Sequence, residues 1–258
     1  MTTCDHSFVV LAHGDSPFLE GALRSVTGQT TPGHVVIATS TPSAQIDGLA
    51  KAFGVEVTVN PRKDGIAADW NFGLRATGAR YVTLAHQDDV YFPRFLERTL
   101  TLFAAHPAGA LAFTGYQEVD DHGAAKSSKI SKVKHLLQRL IVGERETVRG
   151  ARLRAFLSFG NPLPCSSVTY DRQQLGEFEF CGDYASNLDW EAWSRLQARG
   201  ETFLHASERL IGRRHNALTA TSQLIRDGRR RREDLAMFRR LWPAPIGDAV
   251  AFLYRASY

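Results

Sequence analysis

Leu84-Ala85-His86-Gln87-Asp88-Asp89-Val90-Tyr91 is the stretch on which the reading of this chain turns. The apolar run over 81–85 has the length of a buried strand, and it stops abruptly at two adjacent carboxylates. Tyr91-Phe92-Pro93 then opens a segment with Phe95, Leu96, Leu100 and Phe103 at helical spacing. Where strands alternate with helices, the carboxyl ends of the strands are where ligands bind. Two neighbouring acids repel each other, and a divalent cation relieves that repulsion. The same pair would also suit a solvated turn, so its surroundings decide.

Those surroundings alternate cleanly through residue 116. Strands are predicted over 8–12, 35–38, 55–59, 81–85 and 111–113, and helices over 17–29, 44–53, 66–76 and 95–105. Strand–helix alternation with short links predicts a mainly parallel sheet with helices on both faces. Past Tyr116 the rhythm changes. Residues 117–123 are acidic and turn-like, and 126–154 hold nine Lys or Arg against two Glu. Within that belt Val133, Leu136, Leu137, Leu140 and Ile141 have helical spacing. Gly160-Asn161-Pro162-Leu163-Pro164 breaks the chain, 167–170 is a further strand, and 190–199 and 222–241 read as helices. No flexible linker separates the halves, which places the second against the first.

A chain of 258 residues accommodates one large α/β domain with a modest appendage. With 43% hydrophobic and 22% charged residues it has an ordinary globular composition, and a net charge of +4 does not demand nucleic acid. The run Arg229-Arg230-Arg231-Arg232 is followed at once by Glu233-Asp234, which points to a charged outer helix face rather than a nucleic-acid site. Cys4, Cys165 and Cys181 form no C-x-x-C pair, so neither a disulfide framework nor a zinc knuckle is expected. No basic-then-apolar leader precedes Phe8, no run approaches the roughly 18 apolar residues of a membrane span, and no Asn-x-Ser/Thr sequon occurs. A cytoplasmic protein is expected.

In order, these segments resemble a glycosyltransferase of family 2, over roughly residues 7–220. Phe8 to Asp15 stands where that family has a strand ending in a polar turn. Leu23-Arg24-Ser25-Val26-Thr27-Gly28-Gln29-Thr30 matches its leucine-x-serine-x-x-x-glutamine-threonine helix end. Gly65 to Leu74 resembles its glycine-to-asparagine segment. His86-Gln87-Asp88-Asp89 falls on its aspartate-x-aspartate motif, Leu188 to Trp193 on the acidic pair opening the acceptor-side helix, and Arg213-Arg214-His215 on a basic-x-histidine element. Each motif alone is weak; six in order are specific. Two departures stand out: His86 replaces the first acid of aspartate-x-aspartate, and Thr39-Ser40 replaces an Asp-Asp that often contacts the base. Thr and Ser can hydrogen-bond a base but offer no charge.

The resemblance implies an α/β GT-A fold: a mainly parallel, Rossmann-like sheet flanked by helices, with a helical C-terminal extension. It implies a glycosyltransferase domain over 1–220 (nucleotide-sugar half 1–116, acceptor half 117–220) and an extension over 221–258. It implies sugar transfer with inversion from a nucleoside diphosphate sugar to a hydroxyl of a glycan or lipid-linked acceptor, in surface polysaccharide or glycolipid biosynthesis. Asp88 and His215 become the expected ligands of Mn²⁺ or Mg²⁺, a nitrogen ligand tilting the choice toward Mn²⁺. Asp189, at the start of a helix, becomes the expected base, with Asp183 and Glu191 as the rivals, although aspartate is also a preferred helix N-cap. Donor contacts are expected from Ala12, Gly14, Thr39, Gly65, Asp69, Asn71, Gln87 and Asp89, with Cys165-Ser166-Ser167 near the acceptor. The basic belt over 126–154 is either a solvated face or a dock for anionic lipid. A sugar nucleotidyltransferase is the competing enzyme class, though no glycine-rich phosphate loop follows the first strand; a sugar-nucleotide-binding scaffold that has lost catalysis is the non-enzymatic one.

Overall fold

The computed structural model describes residues 5–214 and 228–255. In the first half, β1 (His6–Ala12), β2 (His34–Thr39), β3 (Glu56–Val59) and β4 (Tyr81–His86) pair in parallel in the order β3-β2-β1-β4. The links between them carry α1 (Leu19–Thr27), α2 (Ala44–Phe53) and α3 (Ile66–Arg75). Their ends follow local chemistry. Ser43 Oγ accepts from the Ile46 N–H to cap α2, and Gly54 closes that helix with a φ of 64°. Phe8, Val10 and Ile37, fully buried, pack with Leu19, Leu23 and Val26 of α1 on one side of the sheet.

Beyond β4 the sheet is mixed. After β5 (Val90–Tyr91) and α4 (Phe95–Ala105) comes β6 (Gly109–Val119), an eleven-residue strand that extends well beyond the strand expected over 111–113. β6 does not pair with β4: β9 (Val168–Asp171) lies between them, antiparallel to both. β10 (Thr202–Arg214) then runs parallel to β6 and pairs with β5, giving the order β4-β9-β6-β10-β5. Two short strands pair off this path, β7 (Ala125–Lys126) with β6 and β8 (Thr147–Val148) with β10. A parallel sheet throughout would need β4 and β6 as neighbours. Insertion of β9, from far along the chain, is what sequence alternation cannot reveal.

Helices α5 (Lys129–Ile141), α6 (Gly150–Leu157), α7 (Arg172–Leu175) and α8 (Leu188–Ala198) fill the second half. Trp190 and Trp193 on α8 are completely buried. Trp190 meets Phe238 edge-on at 5.0 Å, and Phe238 belongs to α9 (Arg229–Leu241). Residues 222–227 of the helix expected over 222–241 lie outside the described residues. A last helix, α10 (Ala244–Tyr254), packs on α9, so α9 shares the core of the second half. No helix among the described residues is long and apolar enough to cross a membrane.

Candidate active site

The carboxyl ends of β1 and β4 open into a cavity of about 560 Å³. Ala12, Gly65, Asp69, Gln87, Asp88, Asp89 and Asp189 line it, from both halves of the chain. Gly14, Thr39 and Asn71 do not contribute to that lining, and His215 lies outside the described residues.

On the side of the first half, Gln87 and the His13 backbone bond reciprocally: the His13 N–H donates to Oε1 at 3.0 Å and Nε2 donates to the His13 carbonyl at 3.2 Å. This clamps the end of β1 to the turn after β4. Gly14 (φ 60°) and Gly65 (φ 90°) adopt backbone conformations that a side chain would strain, one after β1 and the other before α3. The Gly14 N–H goes to Thr41 Oγ1, and Thr39 Oγ1 accepts from the Thr41 N–H, so both serve the loop after β2. Asp69, facing the cavity from α3, accepts from Ser40 Oγ at 3.0 Å and Asn60 Nδ2 at 2.9 Å. Asn71 points elsewhere. Its carboxamide is engaged by both backbone groups of Phe180, which ties α3 to the second half of the chain.

At the turn after β4, His86, Asp88 and Asp89 bring one ligand atom each to within 4.8 Å of one another. His86 Nε2 is buried without a hydrogen-bond partner among the described residues. Asp89 is 3% exposed and already committed: it accepts from Ser166 Oγ at 2.5 Å and from the Arg214 N–H at 2.9 Å. Arg214 Nε in turn donates to the Asp88 carbonyl at 3.0 Å, and its guanidinium lies 4.4 Å from the Phe18 ring centre. Burial, then repulsion from Asp89, pushes the Asp88 carboxyl above its ordinary range. An unsatisfied imidazole nitrogen beside a carboxylate held high by its neighbour is the chemistry that a divalent cation relieves. The residues fit such an ion. His86, which sequence comparison casts as a lost ligand, belongs to the cluster.

Across the cavity, Asp189 occupies the first turn of α8. Its Oδ1 accepts from the Trp190 N–H at 2.8 Å and its Oδ2 from Asn161 Nδ2 at 2.7 Å. Burial raises its carboxyl above the ordinary range, partly offset by Arg230, the Trp190 N–H and Asn161. The loop before it is held from α9. Glu233 accepts the N–H groups of Ala185, Ser186 and Asn187 at 2.8–2.9 Å, and Asp234 accepts from Asn187 Nδ2 at 2.7 Å. The acids expected on a charged outer face are therefore buried, because three backbone donors without a helical partner need acceptors. Asn161, Arg213, Arg230 and Lys134 also line the cavity, although sequence reading gave none of them a role there.

A model of the family described as "Glycosyl transferase family 2" matches residues 7–160, well over half the chain. Among solved structures, TarS residues 1–349 from S. aureus, in complex with UDP-GlcNAc, superposes with a TM-score of 0.65 at 13% identity, covering 84% of this chain and 60% of that one. The mannosyltransferase PcManGT from Pyrobaculum calidifontis, in complex with GDP-Man and Mn²⁺, gives 0.65 at 13% identity, covering 97% and 69%. Glucosyl-3-phosphoglycerate synthase from Mycobacterium tuberculosis, in complex with phosphoglyceric acid, gives 0.56 at 15%, covering 85% and 77%. The chain thus spans 60% of the TarS fragment and 37% of a longer TarS structure. No curated protein matches the sequence.

Proposed function

This chain belongs to glycosyl transferase family 2 and has the mixed α/β, GT-A type of fold; from that premise we propose that it moves a sugar from a nucleoside diphosphate sugar to a hydroxyl acceptor, with inversion. The observation that carries the reading is one cavity lined both by the acidic turn after β4 and by Asp189 of α8. The acceptor oxygen attacks the anomeric carbon while the bond from that carbon to the diphosphate oxygen breaks. The electron pair leaves with the diphosphate, and the acceptor proton passes to the Asp189 carboxylate. Attack opposite the leaving group inverts the anomeric centre. Residues 1–116 hold the donor and 117–220 the acceptor. Asp69, which lines the same cavity, meets the base or ribose in this reading.

His86 and Asp88 would hold Mn²⁺ or Mg²⁺, with Asp89 fixing the turn through Ser166 and Arg214. When bound, such an ion supplies Lewis-acid stabilisation of the charge developing on the diphosphate. The mixed nitrogen and oxygen set favours Mn²⁺. The nucleotide sugars in the TarS and mannosyltransferase structures, the latter with Mn²⁺, support the same donor class. A thermal-shift panel of nucleotide sugars with and without Mn²⁺ tests this. One donor raising the melting temperature only when Mn²⁺ is present is expected; no response to any donor would overturn it.

A membrane-facing site is favoured by α5. Val133, Leu136 and Leu140 share one helical face and are 56%, 55% and 70% exposed, in a helix whose charged residues are all Lys or Arg. We place this face on anionic lipid at the cytoplasmic surface of a membrane, where surface glycans and glycolipids are built. Binding to phosphatidylglycerol vesicles that weakens with salt, and is lost in Leu136→Glu/Leu140→Glu, is expected; retention by the double variant would refute it.

A further inference from the structure

Two cations from separate elements enter the acceptor side of the cavity. Lys134 comes from α5 and Arg230 from α9, and both line the same space as Asp189, Asn161 and Ser186. Lys134 sits on the α5 face opposite the exposed apolar stripe, with Gln138 and Ile141 one and two turns further on. Arg230 is fixed in place: NH1 donates to Ser186 Oγ at 2.9 Å, and Nε lies 3.4 Å from Asp234 Oδ1. Its side chain is only 13% exposed, and its buried Nε has no hydrogen-bond partner among the described residues. Both cations act electrostatically on Asp234, so they share one neighbourhood. The turn after β4, where the donor diphosphate is placed, has Arg213 and Arg214 of its own from β10.

We propose that Lys134 and Arg230 form a phosphate-binding subsite that selects an acceptor carrying a phosphate group near its reactive hydroxyl. This rests on the glycosyl-transfer reading and names the acceptor class. A guanidinium and an ammonium lining one cavity present several charge-assisted donors to phosphate oxygens, and a neutral hydroxyl uses few of them. Arg230 also stands close enough to Asp189 to favour its ionised form. A phosphate bound here therefore places the acceptor beside the base.

The probe is glycerol 3-phosphate, with glycerol as its neutral counterpart, titrated calorimetrically into protein saturated with Mn²⁺ and the nucleoside diphosphate of the donor selected by the panel. Saturation keeps the probe out of the diphosphate position. Glycerol 3-phosphate should bind and glycerol should not. Lys134→Gln and Arg230→Gln should each weaken the phosphate probe at least about tenfold, with Arg230→Lys recovering part of the loss and nucleotide affinity unchanged. Lys134→Gln keeps the contacts of Arg230 with Ser186 and Asp234, so it reports even if Arg230→Gln fails to fold. Equal binding of the two probes, unchanged affinity in both Gln variants, or a loss of nucleotide affinity in their place would overturn the subsite while leaving the donor reading intact. Absence of nucleotide binding by the wild type would overturn the donor reading, and the subsite with it. Decyl phosphate binding more tightly than glycerol 3-phosphate assigns the phosphate to a lipid-linked acceptor, and the reverse order to a soluble one.

Discussion

Replacing Asn71 by Ala separates a packing role from a donor-binding role at a position that family resemblance assigns to the donor and that hydrogen bonding ties to Phe180. Asn71 is 9% exposed on α3, and its carboxamide spans 109 residues of sequence to satisfy Phe180. Oδ1 accepts the Phe180 N–H at 2.7 Å, and Nδ2 donates to the Phe180 carbonyl at 2.9 Å. Phe180 is itself buried, edge-on to Trp70 at 4.9 Å and beside Trp193 at 6.3 Å, so water cannot readily replace the lost partners. A buried polar group left unsatisfied costs about 1–3 kcal/mol. Two such groups give an expected loss of about 2–6 kcal/mol for Asn71→Ala, a large share of a domain's stability. Urea unfolding followed by circular dichroism measures it as a lower midpoint at unchanged slope. Nucleotide affinity, taken well below the melting temperature, should stay within about twofold of wild type, a shift below 0.5 kcal/mol. Stability unchanged with nucleotide binding abolished would refute the packing assignment.

Four further outcomes follow from the same geometry. Burial raises the Asp189 carboxyl and a base must be ionised, so kcat/KM should fall on the acid side through a pKa above the ordinary carboxylate value of about 3.9; Asn161→Ala, which removes a hydrogen bond to the ionised form, should move that limb to higher pH. Because the folded pKa lies above the unfolded one, the neutral carboxyl contributes stability below the unfolded value, and this is lost as pH rises through the folded value; the melting temperature of Asp189→Asn relative to wild type should therefore climb with pH. Ser166→Ala frees one oxygen of Asp89 and should weaken Mn²⁺ binding, followed by water-proton relaxation, by about 10–100-fold. Phe238→Ala opens a cavity against Trp190 and should cost about 3–5 kcal/mol in urea unfolding, with α9 and the 185–187 loop loosening together in hydrogen exchange.

The first half of the fold was legible because each strand there is a short apolar run and each helix shows one apolar face, as in Leu19, Leu23 and Val26. The expected helices over 44–53 and 95–105 coincide with α2 and α4. β10 escaped because its register against β6 shifts between Ala206 and Ile211, which leaves Ser207 and Glu208 exposed and breaks the period of two. In the site, Asp88, Asp89 and Asp189 were visible as acids at element ends. Glu233, Asp234 and Arg230 were not: a charged helix face looks the same in sequence whether it meets water or three backbone N–H groups. For His86 the signal was present, an imidazole two residues before an acid at a strand end, but the motif expected a carboxylate there.

The most direct measurement is single-turnover sugar transfer by Asp189→Asn, with donor and Mn²⁺ saturating and nucleotide affinity measured in parallel. The amide keeps the size of the side chain and cannot take the acceptor proton. A transfer rate reduced about 10²–10⁴-fold with nucleotide affinity intact is the expected result. Transfer at the wild-type rate would contradict the assignment of this carboxylate as the base facing the donor.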